Sequence, residues 1–153
     1  MKTRFNVAAA LAASLFVACA GAPKVIPEDL GARELVQRAQ ECSDAYNYKG
    51  AVAYYQALDQ RFSTDPLYSS TAEYEIAFIA YKEGHYSAAR KGFEALLAKY
   101  AGPDGASYPP RFEILAKKVL DTIAQKTKSG ASAQAAQPAA AQTAPPAAPA
   151  AGQ

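Results

Sequence analysis

An all-α chain, folded as a short helical solenoid of about two repeats plus a C-terminal capping helix, is what this sequence predicts. Three observations carry the expectation. Between residues 72 and 100 the apolar and small positions fall into two helical sets: Ile76, Ala77, Ala80 and Tyr81, then Tyr86, Ala89, Phe93, Leu96 and Leu97. The same arrangement recurs 38 residues upstream. A further amphipathic segment, with Phe112, Leu115, Ala116, Val119, Leu120 and Ile123 on one face, stands after a clear break and has no partner behind it.

The central stretch reads as a hairpin. Glu83-Gly84-His85 separates the two sets, and a glycine there turns the chain without steric cost. Ala77, Ala80 and Ala89 are small where two backbones must approach. One hairpin buries too little apolar surface to stand alone, so the upstream copy matters. Ala39 falls on Ala77, Cys42 on Ala80, Tyr48 on Tyr86, Ala51 on Ala89, Tyr55 on Phe93, Leu58 on Leu96 and Phe62 on Tyr100.

In order along the chain, Lys2 and Arg4 precede an apolar run over 7–18 that is too short to cross a bilayer and matches an export signal over 1–18. A short Ala/Gly/Pro tether over 19–27 follows. Pro27-Glu28-Asp29 reads as a helix start, with the first helix over about 27–46 and its partner over about 49–62. Ser63-Thr64-Asp65-Pro66 reads as a turn, because the proline bars αR for Asp65. The central hairpin then begins near Ser69 or Ser70, where Ser70-x-x-Glu73 has the form of a capping box. Ala101-Gly102-Pro103-Asp104-Gly105 is a break, and the fifth helix runs over about 110–126, completing a helical domain over 28–127. From 129 to 153 the chain turns to Ala, Pro, Gln, Ser and Gly without a charge, which predicts a flexible tail that is partly polyproline-like.

The residues Gly84-x-Tyr86-x-x-Ala89-x-x-x-Phe93-x-x-Leu96, with Ala77 in the preceding helix, resemble the tetratricopeptide repeat family. The upstream copy keeps Ala39, Tyr48, Ala51 and Tyr55, but has Tyr46 where the family often has Gly and Asp59 where it often has an apolar residue. The family's opening Trp is absent from both copies. The resemblance implies that the first helices of successive repeats line a concave, peptide-holding surface. By register its lining positions are Arg33, Val36, Gln40, Ser43 and Asp44 in one copy, and Thr71, Tyr74, Phe78, Tyr81 and Lys82 in the other. Tyr74, Phe78 and Tyr81 stand at i, i+4 and i+7 as an aromatic strip, a face suited to anchoring a partner. Equally, the strip could simply pack on the first helix pair or beneath the fifth helix.

Leu15-Phe16-Val17-Ala18-Cys19 is similar to the bacterial lipoprotein processing site, which implies Cys19 as the lipidated first residue of the mature chain. Ordinary cleavage after Ala20 or Ala22 is the other reading. Ala20 behind the cysteine implies an outer-membrane destination, with the chain facing the periplasm. The Tyr/Ala/Phe repeat dialect resembles the BamD-type component of the β-barrel assembly machinery and similar envelope scaffolds, although this chain is much shorter.

Chemistry is sparse. Loss of Lys2 and Arg4 leaves 14 basic against 14 acidic residues, so the mature chain is neutral and carries no basic footprint for nucleic acid. His85 has no Cys or His at ligand spacing, and Cys42 sits at a seam position as a small buried residue. Glu73 and Glu75 point to different faces. Neither a phosphate-binding glycine loop nor a nucleophile elbow is present. No catalytic residue, metal ligand or cofactor is expected. Two functions remain. One is a lipid-anchored interaction scaffold in envelope or outer-membrane protein assembly, whose partner is an envelope protein or peptide segment and whose open ends leave room for self-association. The other is a soluble periplasmic accessory of cell-wall or division machinery.

Overall fold

A computed structural model of the protein describes residues 21–135, and the described residues form five α-helices without a strand. These are α1 (Ala32–Asp44), α2 (Tyr48–Phe62), α3 (Pro66–Lys82), α4 (Tyr86–Tyr100) and α5 (Pro110–Ala135), with a short 3-10 turn at Gly105–Ser107 before the last. Each helix packs on its neighbour in sequence, and α5 lies against α4 while also touching α3. The segment expected as an export signal, Cys19 expected as the lipidation site, and the chain beyond 135 lie outside the described residues.

The two hairpins share their construction position by position. Ala39, Ala51, Tyr55 and Leu58 are buried in the first, and Ala77, Ala89, Phe93 and Leu96 in the second. At the α1–α2 turn, Ala45 N–H donates to Glu41, Tyr46 N–H to Ser43 and Asn47 N–H to Cys42. At the α3–α4 turn, Glu83 N–H donates to Ile79, Gly84 N–H to Tyr81 and His85 N–H to Ala80. Each is a helix C-terminus closed through a left-handed residue. That residue is Gly84 at φ 79° in one turn and Tyr46 at φ 57° in the other. The closeness of α3 and α4 shows at Gly92, where a Cβ would stand 2.8 Å from the Ala77 Cβ. Ala80, expected in the seam, is only half-buried.

Three boundaries depart from the sequence expectation. α1 begins at Ala32 rather than near 27, because residues 21–31 form a strap across the first hairpin. Leu30 enters the core, Arg61 donates to the Pro27 and Ile26 carbonyls at 2.7 and 3.1 Å, and Asn47 Nδ2 donates to the Gly21 carbonyl at 2.8 Å. The segment expected as a tether is therefore docked from Gly21 onward. α3 begins at Pro66, not at Ser69 or Ser70. Asp65, held extended by the proline after it, is the N-cap and accepts from the Leu67 and Tyr68 amides at 2.9 and 3.4 Å, while Pro66 takes the first helical position. Ser70 is buried inside the helix and donates to the Pro66 carbonyl at 2.5 Å. α5 continues past 126 to Ala135, so residues 129–135, expected in the flexible tail, are helical, since an established helix extends cheaply through Ala and Ser. On its expected buried face Phe112, Ala116 and Ile123 are in the core, but Leu115 is 40% exposed.

Candidate functional site

Among the described residues α3 is the only helix shared by both cores. One side of it places Ala72 and Ile79 against α1 and α2; another places Tyr74 and Ala77 with Phe93, Phe112, Ala116 and Ile123. Its remaining side carries Thr71 and Glu75, which face α1 and the start of α5 across a cleft of about 400 Å³. Arg33, Val36 and Gln40 come from α1, Leu67 and Tyr68 from α3, and Arg111 and Phe112 from α5. Four positions expected to line a concave surface, Arg33, Val36, Gln40 and Thr71, thus do meet around one opening.

The aromatic strip is continuous along α3. Phe78 stacks on Tyr74 at 5.8 Å between ring centroids and on Tyr81 at 5.8 Å, with interplanar angles of 17° and 20°. Its two ends differ. Tyr74 is 6% exposed and sits between Phe93 and Phe112, at 5.5 and 5.4 Å, so α5 covers it and its ring belongs to the core. Phe78 and Tyr81 are half-buried, and Lys82 is exposed. Lys82 Nζ donates to Ser43 Oγ at 2.7 Å and lies 4.8 Å from the Tyr48 ring centroid and 5.6 Å from that of Phe78. Ser43 therefore joins this second patch. Lys126 of α5 stands over Tyr81 and Tyr86 at 5.4 and 5.8 Å, so the accessible edge of the strip is framed by two cations.

Glu73 and Glu75 leave α3 in different directions. Glu73 is ion-paired with Lys99 of α4, which also donates to Ser69 at 3.4 Å, a tie across the second hairpin. Glu75 faces the cleft. Burial holds its carboxyl above the usual carboxylate range, with the Lys82 ammonium pulling the other way. Its charge reaches two phenols: burial first, and Glu75 second, push Tyr74 up to about 12 and raise Tyr55 as well. Sequence reasoning missed Glu75, Arg111 and Phe112. Glu75 was findable, because Thr71, Glu75, Phe78 and Lys82 follow the i, i+4, i+7, i+11 line of a single helix face.

Among the described residues no three His, Cys, Asp or Glu side chains gather where they could hold a metal ion. His85 is exposed on its turn, and Cys42 is buried at the first seam. No described helix is long and apolar enough to cross a membrane.

No family model matches the sequence, and no solved structure matches it. An uncharacterized protein of Treponema pallidum (strain Nichols) is 34% identical over 97 residues, covering 62% of this chain and 39% of that protein. The chain thus spans about two-fifths of this relative's length.

Proposed function

We propose that this protein is a non-enzymatic protein–protein interaction scaffold built from tetratricopeptide-like repeats. We place it on the outer membrane, lipid-anchored at Cys19 and facing the periplasm, in envelope or outer-membrane protein assembly. The repeat reading draws support from the matching hydrogen bonds of the two turns, 38 residues apart. One observation carries the functional reading: Phe78, Tyr81 and Lys82 present a partly accessible aromatic and cationic edge beside a cleft made by the first helix of each hairpin. Rigid aromatics with a neighbouring cation are the side chains on which protein interfaces concentrate their binding energy.

Crosslinking in the periplasm with the protein as bait, beside a Phe78→Ala, Tyr81→Ala variant of unchanged helicity, tests this. The wild-type chain is expected to capture a specific envelope protein that the variant loses; equal capture by both removes the strip from the reading. Anchoring has its own test. Globomycin treatment should make an unprocessed form accumulate in the membrane fraction, and indifference to it would leave a soluble periplasmic accessory instead.

A further inference from the structure

The cleft between α1, α3 and α5 brings charges of both signs to one opening without pairing them. Arg38 meets Glu34 at 2.7 Å, Lys117 meets Glu113 at 2.6 Å, and Lys99 meets Glu73, but the charged side chains lining the cleft make no such pair with one another. Glu75 in its floor makes no hydrogen bond or ion pair with any described residue; the Lys82 ammonium, whose charge it feels, is committed to Ser43. Arg33 on one side makes none either, and Arg111 on the other lies over the Phe112 ring at 4.4 Å without a carboxylate partner among the described residues. One half-buried negative charge is thus bracketed by two outward positive ones, within walls made apolar by Val36, Leu67, Tyr68 and Phe112.

We propose that this cleft takes an extended segment of a partner protein in which a lysine or arginine sits close to an acidic residue, the cation docking on Glu75 and the acid on Arg33 or Arg111. This deepens the scaffold reading and rests on it. The apolar walls suit the methylene stem of a long basic side chain, whose charged head then reaches the floor. A carboxylate already held partly out of water gains more from a charge-assisted hydrogen bond than one on an open surface. A purely anionic ligand would meet Glu75, and a purely cationic one would meet the two arginines, so complementarity selects a segment carrying both signs. The chain's own C-terminal stretch cannot be the occupant, because residues 129–153 contain neither Lys nor Arg.

The test uses the full chain and an array of short capped peptides, each with one lysine and one glutamate at varied spacing in an Ala/Gln background. A matched array has norleucine for the lysine. Lysine peptides should bind at least about tenfold tighter than norleucine ones, and Glu75→Gln should erase that difference while keeping or raising the melting temperature. Arg33→Ala with Arg111→Ala should remove the preference for glutamate spacing and leave the lysine dependence. Equal binding of lysine and norleucine peptides overturns the proposal, and so does a Glu75→Gln protein that binds as the wild type does. If no peptide binds yet crosslinking still captures a partner through Phe78 and Tyr81, the cleft inference falls and the scaffold stands. If crosslinking also captures nothing, both fall. A dimer that Glu75→Gln dissociates, with no peptide bound, makes a second copy the occupant and likewise overturns the proposal.

Discussion

The α1–α2 and α3–α4 turns make the same three backbone hydrogen bonds, yet one turns on Gly84 and the other on Tyr46. A glycine reaches the left-handed region freely, whereas for tyrosine it costs roughly 1–2 kcal/mol. Little burial offsets that cost, since Tyr46 is 81% exposed and its ring meets only the edge of Tyr48, at 6.2 Å. The difference teaches that the hairpin geometry is imposed by the seams on either side. Small buried residues, Ala39 and Ala51 in one hairpin and Ala77 and Ala89 in the other, let the helices come close, and the turn must then pass through a left-handed residue whatever its identity.

This equivalence can be broken in order of effect. Phe93→Ala and Tyr55→Ala should each cost about 3–5 kcal/mol, read by urea unfolding, since both rings are essentially inaccessible at matching places in the two hairpins. A Tyr55→Ala cost under about 1 kcal/mol would mean the two cores are not built alike. Ala89→Leu and Ala51→Leu should each lose about 1–3 kcal/mol through overpacking, and an unchanged melting temperature in either would put the seam elsewhere. The turns themselves should answer with opposite signs. Gly84→Ala is expected to destabilise by about 1 kcal/mol, although nothing lies within 4 Å of the added methyl, while Tyr46→Gly should stabilise by up to about 1 kcal/mol. Same-sign shifts would show that Tyr46 is held by something other than the turn.

The smallest effect shows only at alkaline pH. Burial pushes the Tyr74 phenol from 10 up to about 12, so the folded chain keeps a proton that the unfolded chain gives up first. Its contribution to stability is complete below pH 10 and is lost as pH rises from there toward 12. Tyr74→Phe should therefore move the alkaline unfolding midpoint upward, followed by tyrosinate absorbance, with buried Tyr55 accounting for transition that persists.

Helix type and the pairing of α1 with α2 and α3 with α4 were legible because small and bulky residues recur at a fixed offset through two hairpins. What escaped is instructive. α3 lies between two cores, so three of its sides carry constraints, and a reading in terms of one apolar and one polar face did not place Glu75 in the cleft and left Tyr74 open between a binding strip and packing beneath the fifth helix. Tyr74 shares a strip with Phe78 and Tyr81 in sequence, but only the position of α5 decides that Phe112 covers it. Asp65 was recognised as non-helical without being recognised as a cap, since the same extended conformation serves a turn and an N-cap alike. Arg111 and Phe112 reach the cleft through the path of residues 101–109, fixed in part by the Tyr100 hydroxyl donating to the Pro109 carbonyl at 2.8 Å. No local periodicity encodes that path.

The hydrogen bond from Asn47 to the Gly21 carbonyl has a mechanical consequence. With Cys19 lipidated, as proposed, the leash between the acyl chains and the first docked residue is two residues long, a reach of at most about 7 Å. Such a molecule is moored rather than trailing on a line. It would not tumble freely above the bilayer, and the end of the body bearing the α1–α2 turn, with its outward Tyr46, would be the end kept near the surface. The cleft would then stay within about one body length of the membrane, and a partner would have to come to it.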